Sequence, residues 1–494
     1  SRCAFRRLAR ARRGGTSRRA REGAAPLAVA SVVMQKTRAL AAPKEMRVGS
    51  LLCAALSPHD DGATIVVGGA RATALVFDLR APSSRVTAHA LSASTGCFDA
   101  DDAVNAVAFN PTRPHALYCA SGARVDAWDL RALPSTTTTT RSKSKSKSTS
   151  PSSGGGGSAL GSPLHRYAFN ADEINSIVID AKGGAMACAD DAGEVVAVDV
   201  SSPSSVDGKL LKRLRVGGHS NIASGACFRE HKPWDVVSGG LDCAIVKWDR
   251  SRASAVASWR VSDLAAEDDA AAAAADDDDA AAAAASTSNA MNPPMVHAVA
   301  VASAVECGAA LDPRARRLVA AACGDGTVAL VDVDLPAAAA RGAGGGKGKS
   351  KRGGAGGGGD ASGGNGGGAF GGARRAVFLG RRGGGHASAC TAVRFPGRFD
   401  GARVLSGGND GVVKLWDWRV AAGMADSGAD SGADAGADAA PAPPAATGLV
   451  CETAHGRKVN ALTCRGADAA GGGGGDWLFV CDTSSRLSAY ALRG

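Results

Sequence analysis

VVSGGLDCAIVKWDRS (residues 236–251) and VLSGGNDGVVKLWDWR (residues 404–419) are two copies of one pattern. In each, an apolar pair leads to Ser-Gly-Gly, a turn Asp follows, and an alternating apolar run ends on Trp-Asp. Alternation with period two on either side of a Gly/Asp turn gives a β-hairpin one buried face and a backbone that can reverse. Ser238 and Asp242 are four residues apart and Asp242 and Trp248 six; Ser406, Asp410 and Trp416 repeat that spacing. Upstream of each hairpin stands Gly-His (Gly218-His219, Gly385-His386), followed by a further strand-like run at 223–228 or 389–395. A three-strand unit repeated at this length indicates a repeat architecture.

Weaker copies complete the set. Residues 52–80 end on Phe77-Asp78, and residues 103–131 end on Trp128-Asp129. Residues 174–200 carry a DDAG turn and end on Val198-Asp199, and residues 296–333 carry CGDG and end on Val331-Asp332. Residues 459–492 start after His455-Gly456 and end near Tyr490. The total is seven units.

The Gly-His start and Trp-Asp end resemble the WD-repeat family. That resemblance implies an all-β fold, a seven-bladed WD-repeat β-propeller in which four-stranded blades close a ring with only short, protected edges. It also implies a hydrogen-bonded tetrad within a blade, here His219, Ser238, Asp242 and Trp248, and again His386, Ser406, Asp410 and Trp416. Buried, these groups satisfy one another, which accounts for the Ser/His/Asp combination without catalysis. ADEINSIVID (171–180), ACADDAGEVVAVDV (187–200), HSNIASGACFR (219–229), GGNDGVVKLWD (407–417) and HGRKVNAL (455–462) further resemble, in order and spacing, one member of the family.

Four stretches are too biased to pack: residues 135–160 (Ser/Thr/Lys, then Gly), 265–290 (poly-Ala broken by Asp/Glu), 336–374 (mostly Gly) and 421–446 (Ala/Gly/Asp/Pro). With few bulky apolar groups, burial cannot offset the entropy of ordering them. They are expected as disordered inserts between blades near 49–82, 97–133, 167–202, 216–262, 291–335, 375–420 and 450–494. The last unit supplies three strands, so the expected closing strand lies within 32–48, after a basic segment at 1–31.

Net charge and cysteines narrow the function classes. The chain's formal charge is +10, yet residues 1–45 hold twelve Lys/Arg against Glu22 and Glu45, so the remainder is neutral. A protein that grips phosphates spreads positive charge over its folded face, and nucleic acid is not an expected partner. Thirteen cysteines contain no CxxC pair and no zinc spacing. Cys119, Cys188 and Cys323 sit in apolar runs and read as small buried hydrophobes of a reducing compartment. No run of 18 apolar residues exists to span a membrane. The Arg-rich start resembles a transit peptide, although Met34 or Met46 offers another start. Cytoplasm and/or nucleus is the expectation, with organelle targeting left open.

The most pointed motif is Trp-Asp-x-Arg. Residues 404–419 fit the box with which WD proteins dock on the damaged-DNA-binding adaptor of cullin-4 ubiquitin ligases, ending Trp416-Asp417-Trp418-Arg419. WDLR at 128–131 and FDLR at 77–80 repeat it partially, supplying Arg131 and Arg80 on neighbouring blades; Arg250 in the fourth unit stands one place early. An Arg just past a strand end presents a planar, five-donor head to a partner's carboxylates or carbonyls. The competing reading is an Arg that covers its own blade and pairs with a nearby Asp. AGGGKGKS (343–350) lacks the first glycine and the apolar helix of a phosphate-binding loop, and is set aside. Lys143, Lys145 and Lys147 and the run 276–279 read as solvated loops. The expected protein is a monomeric protein-binding scaffold, not an enzyme, with no cofactor or metal. Either it is a substrate receptor holding the ligase adaptor through Arg80, Arg131, Trp416, Asp417 and Arg419, or it is a general scaffold in which those residues are structural.

Overall fold

The computed structural model describes residues 32–41, 48–60, 62–80, 88–92, 98–99, 101–132, 163–201, 209–273, 292–307, 311–337, 368–371, 374–397, 399–424, 447–465 and 476–493. Their strands form seven four-stranded antiparallel sheets. Blade 1 is Leu51–Leu56, Thr64–Gly69, Thr73–Asp78 and Ala88–Ser92; blade 2 is Val104–Phe109, Ala116–Ser121, Arg124–Asp129 and His165–Tyr167. Blade 3 is Ile174–Ile179, Ala185–Asp190, Val195–Asp199 and Lys209–Leu214; blade 4 is Ala223–Arg229, Lys232–Gly240, Ala244–Asp249 and Ser254–Arg260. Blade 5 is Val296–Val301, Leu318–Cys323, Val328–Asp332 and Ala376–Leu379; blade 6 is Cys390–Arg394, Arg403–Gly408, Val412–Asp417 and Leu449–Ala454. Blade 7 takes Val459–Arg465, Asp476–Asp482 and Arg486–Arg493 from the C-terminal region, and its fourth strand is Val33–Ala41, antiparallel to Arg486–Arg493.

The core lies between blades. Each of seven apolar clusters is shared by two neighbours: Phe228, Val236 and Trp248 of blade 4 pack on Ala187 and Val195 of blade 3, and Leu40 and Phe479 of blade 7 pack on Ile65 and Leu75 of blade 1. A middle strand is therefore covered on both faces and reads as a continuous apolar run, as in Ala185–Asp190 or Leu318–Cys323, where every residue is buried. Fourth strands lie at the outer edge of each blade, so Lys209–Leu214 and Ser254–Arg260 are only partly buried, whereas Ala376–Leu379 of blade 5, against which the helix Val261–Ala273 packs, is buried throughout.

The seven first strands pack neighbour to neighbour in a closed ring. Each has a β-bulge at the same place, at Leu52, Asn105, Asn175, Ser224, His297, Thr391 and Asn460. Four of these side chains reach the next blade's first strand: Asn175 to the Ala223 carbonyl (3.3 Å), Ser224 to Val296 (2.5 Å), Thr391 to Val459 (2.5 Å) and Asn460 to Leu51 (2.7 Å). A bulge re-aims the extra residue; here it points a polar side chain at a carbonyl that has no ladder partner on that side.

Two sequence expectations need correction. Long low-complexity stretches were expected between blades; those after blade 2, 5 and 6 third strands instead precede the fourth strand of the same blade, because the Gly-His to Trp-Asp unit is offset from the sheet by one strand. Residues 375–379 thus complete blade 5, and His165–Tyr167 completes blade 2. Nor are the inserts unstructured throughout. Val261–Ala273 is a helix overlapping 265–290, with Leu264 and Ala265 in the blade 4–5 cluster. Asp268, buried, pairs with Arg374 and Arg382, Glu267 with Arg375 (2.8 Å) and Asp269 with Arg381 (2.6 Å). Ala369 and Phe370, inside 336–374, are also buried against Trp418, and Ala421 and Ala422 pack on the same cluster. Apolar burial and charge pairing with distant residues order segments whose own composition gives no periodic signal.

Candidate functional site

The tetrads assemble as geometry requires. In blade 4, Trp248 Nε1 donates to Ser238 Oγ (2.8 Å), Ser238 Oγ lies 2.8 Å from His219 Nε2, and His219 Nδ1 lies 3.0 Å from Asp242. In blade 6 the corresponding distances are 2.8, 2.8 and 3.1 Å through Trp416, Ser406, His386 and Asp410. Burial pushes both Asp carboxyls upward, but hydrogen bonds from the His and the following N–H outweigh it and hold them below the ordinary value. An ionised Asp fixes the proton on Nδ1, leaving Nε2 to accept from Ser O–H and Ser Oγ to accept from Trp. Every donor is then matched, and Ser238 and Ser406 are fully buried. Neither tetrad serine presents its hydroxyl to solvent.

A third, altered constellation closes blade 7. His455 Nδ1 lies 2.7 Å from the Tyr490 hydroxyl and Nε2 lies 2.8 Å from Asp482. Tyr490 faces Leu478 across the sheet as Trp248 faces Val236, so the phenol stands where the indole does elsewhere. The sequence signal was the His455-Gly456 start and Tyr490, without the Ser.

The Trp-Asp-x-Arg residues lie at the opposite edge. A third strand begins at the hairpin joining it to the second and ends across the sheet, so Asp78, Asp129 and Asp417 share the edge of the first-to-second-strand connections. Arg80 and Arg131 take one pose. The Asp two residues earlier accepts the Arg backbone N–H (2.9 Å in both) and, side by side, Nε (2.9 and 3.0 Å) and Nη2 (2.9 and 2.6 Å). Both guanidinium groups stay about two-thirds exposed, at 68% and 69%. Two of five donors are used, and three N–H groups face outward. Arg419 is held more loosely: its N–H donates to Asp417 (3.0 Å), but Nε is 3.8 Å away and the side chain is 39% exposed.

Two residues expected to touch a partner do not stand at the surface. Trp416 is fully buried in its tetrad, where it holds the strand end. Asp417 caps the short helix Trp418–Ala421 and is mostly covered. The same edge carries groups that the Trp-Asp-x-Arg pattern does not contain. Asp312 and Arg314 in blade 5 repeat the folded-back pair (Nη2 to Oδ2 3.0 Å), in Asp-Pro-Arg and without Trp. Trp234 in blade 4 is 61% exposed and lies beside Arg250 (5.9 Å).

Among the described residues, no group of three His, Cys, Asp or Glu side chains is placed to hold a metal ion, and no helix is long and apolar enough to cross a membrane. Burial pushes the Cys53, Cys227 and Cys390 thiols up to about 12, far from a reactive thiolate.

Residues 380–417 match the family described as WD domain, G-beta repeat. The chain is also similar to the WD repeat-containing protein 53 homolog of Dictyostelium discoideum, at 26% identity over 168 residues. The match covers 34% of this chain and spans only 40% of that relative's length. It is also the family member that the EIN, HSNI and HGRKVN elements resemble. With that match, seven blades in a ring and two complete tetrads, the chain is a seven-bladed β-propeller that carries WD repeats, a fold that generally serves as a protein-interaction scaffold.

Proposed function

We propose that this propeller is a substrate receptor that docks on the adaptor of a cullin-4 ubiquitin ligase through the Trp-Asp-x-Arg edge. The observation carrying the reading is the matched pair Arg80 and Arg131. They lie on adjacent blades, both exposed, both oriented by an Asp two residues back, both with outward N–H groups. Such preorganisation lowers the ordering cost of a long side chain at an interface, and a planar fork suits carboxylate or carbonyl clusters. Arg419 adds a third, looser contact on blade 6. A second reading has a specific observation behind it: each Asp–Arg pair ties its own turn, which is a structural role, and the protein then serves as a scaffold in another complex.

The two separate in a pull-down of the purified adaptor by wild-type chain, Arg80→Ala/Arg131→Ala and Arg131→Ala/Arg419→Ala, with melting curves for each. An interface arginine at a hot spot contributes about 2 kcal/mol, roughly thirtyfold in affinity. The proposal expects binding by wild type and a loss of at least that size in variants that melt normally. Absence of wild-type binding leaves the scaffold reading, with the arginines as turn ties.

A further inference from the structure

The edge opposite the arginine rim carries a cleft of about 480 Å³ on blade 7. It lies where the 483–485 hairpin and the loop before Val459 meet the closing strand Val33–Ala41. Lys36 comes from that closing strand, Arg457 from the loop, and Ser484, Ser485 and Arg486 from the hairpin. Lys36 and Arg457 lie at opposite ends of the chain, and only the closed ring brings them together.

The electrostatics of the cleft are one-sided. Its single carboxylate, Asp482, is already engaged by His455 Nε2 (2.8 Å) and the Ser484 N–H (2.6 Å). Burial lowers the His455 pKa, against the pull of Asp482, so the imidazole adds no charge at neutral pH. Among the described residues, Lys36, Arg457 and Arg486 form no ion pair; Lys36 Nζ is 5.8 Å from the Tyr490 ring. On the other edge Arg80, Arg131 and Arg314 each fold onto a carboxylate of their own. Three unpaired cations around one concavity hold a positive potential that an anion relieves.

We infer that this cleft is a recognition site for a phosphorylated serine or threonine in a partner protein. The donor set fits that group: two guanidinium forks, one ammonium and the Ser485 hydroxyl can surround a tetrahedral dianion with three acceptor oxygens, while the Ser484 hydroxyl accepts from the Arg486 N–H (3.1 Å) and shapes the turn. A carboxylate offers half the charge and two oxygens. Lys36 lies on the outermost strand of its blade, so the cleft is open at the side and a chain can cross it, whereas a free phosphate leaves most of the volume empty. The site is independent of the adaptor reading, since it uses neither the arginine rim nor its partner.

The test uses the full chain and a degenerate phosphoserine/phosphothreonine peptide library. Fluorescence anisotropy compares it with the same library unphosphorylated, with inorganic phosphate as competitor. Expected are at least about tenfold tighter binding of the phosphorylated library and displacement by phosphate. A similar loss is expected in Arg457→Ala/Arg486→Ala, both exposed side chains, with an unchanged melting curve. Arg457→Lys/Arg486→Lys keeps the charge without the fork and should lose less. Equal affinity for both libraries, no peptide binding despite phosphate binding, or full binding by the folded double-Ala variant would each overturn the proposal.

Discussion

In blade 6 the Trp416 indole donates to Ser406, and the chain of hydrogen bonds runs on to His386 and Asp410. In blade 2 an equally buried Trp128 ends the third strand, but the register places Cys119 where Ser406 stands: Leu117 faces Trp128 as Val404 faces Trp416. Trp128 Nε1 has no hydrogen-bond partner and the ring instead meets the Phe98 edge at 6.1 Å. Blades 1, 3 and 5 go further, with Phe77, Val198 and Val331 opposite Ile65, Met186 and Val319. There both donor and acceptor are gone and the position is filled by packing. Blade 7 keeps a polar end in Tyr490 and supplies His455 for it. The lesson is that the tetrad is one way of satisfying a polar side chain at a site that inter-blade packing requires to be filled, so its loss costs little where the polar group leaves with it.

The comparison breaks most sharply at the serine. Ser406→Ala strands two buried groups, Trp416 Nε1 and His386 Nε2, and should destabilise the protein by about 2–4 kcal/mol. Cys119→Ala in blade 2 removes one buried sulfur at a place where no His-Ser-Trp chain runs, and should cost about 1 kcal/mol. Denaturant melts of the two variants measure this directly. Similar losses would mean that Trp128 draws on Cys119 as Trp416 does on Ser406, and the distinction between the blades would fail.

These particulars also show where the sequence could be read. Blades 4 and 6 were legible because a tetrad needs four residue types at fixed spacing, and such spacing survives without any knowledge of neighbours. Fourth strands were harder. His165–Tyr167 is three residues long, too short to show a period, and a bulge at Leu211 breaks the alternation of Lys209–Leu214. The Val261–Ala273 helix was read only as a biased insert, because what orders it, Arg374, Arg375 and Arg381, lies more than a hundred positions away. The blade 7 cleft gave no local signal for the same reason. The arginine rim was legible as a motif, but its folded-back pairing with Asp was visible only in three dimensions.

Titration separates the two blades by sign. Burial raises the Asp410 carboxyl pKa, but hydrogen bonding to His386 and nearby N–H groups brings it below the ordinary value. Its ionised form therefore stabilises the fold above about pH 4, and that contribution is lost as pH falls through the depressed folded value. Asp126, which faces Cys119 in blade 2, is the reverse: burial raises it despite Arg166 (3.2 Å) and Arg124 (3.6 Å). Its contribution is fullest below the unfolded pKa and is lost as pH rises through the raised folded value. Asp410→Asn should thus melt below wild type at pH 7. Asp126→Val, which copies Val196 and Val246 at the same register, should melt at or above it. The Asp126 difference should shrink as pH falls toward 4, and the Asp410 difference only as pH falls below it. A clear loss of stability in Asp126→Val at pH 7 would make the blade 2 ion cluster a stabilising feature and reverse the assignment.

The smallest effect compares blades 4 and 6 at their hairpins. Gly411 turns the blade 6 hairpin with φ +72°, and Cys243 holds the same place in blade 4 with φ +62°. A side chain in that left-handed region costs about 1–2 kcal/mol, and Cys243 bears it because its turn leaves room for a Cβ. At Gly411 a Cβ would come within 2.9 Å of the Arg457 backbone nitrogen, so the next blade forbids it. Cys243→Gly relieves the strain but loosens the unfolded chain by about 0.4–1 kcal/mol, leaving a net gain near 0.5 kcal/mol. Gly411→Ala adds strain and the contact together and should cost at least about 1 kcal/mol. Melting curves that ranked Gly411→Ala with wild type would show that the blade 6 turn relaxes freely against its neighbour, and the rigidity that the packed ring implies at this edge would not extend to its hairpins.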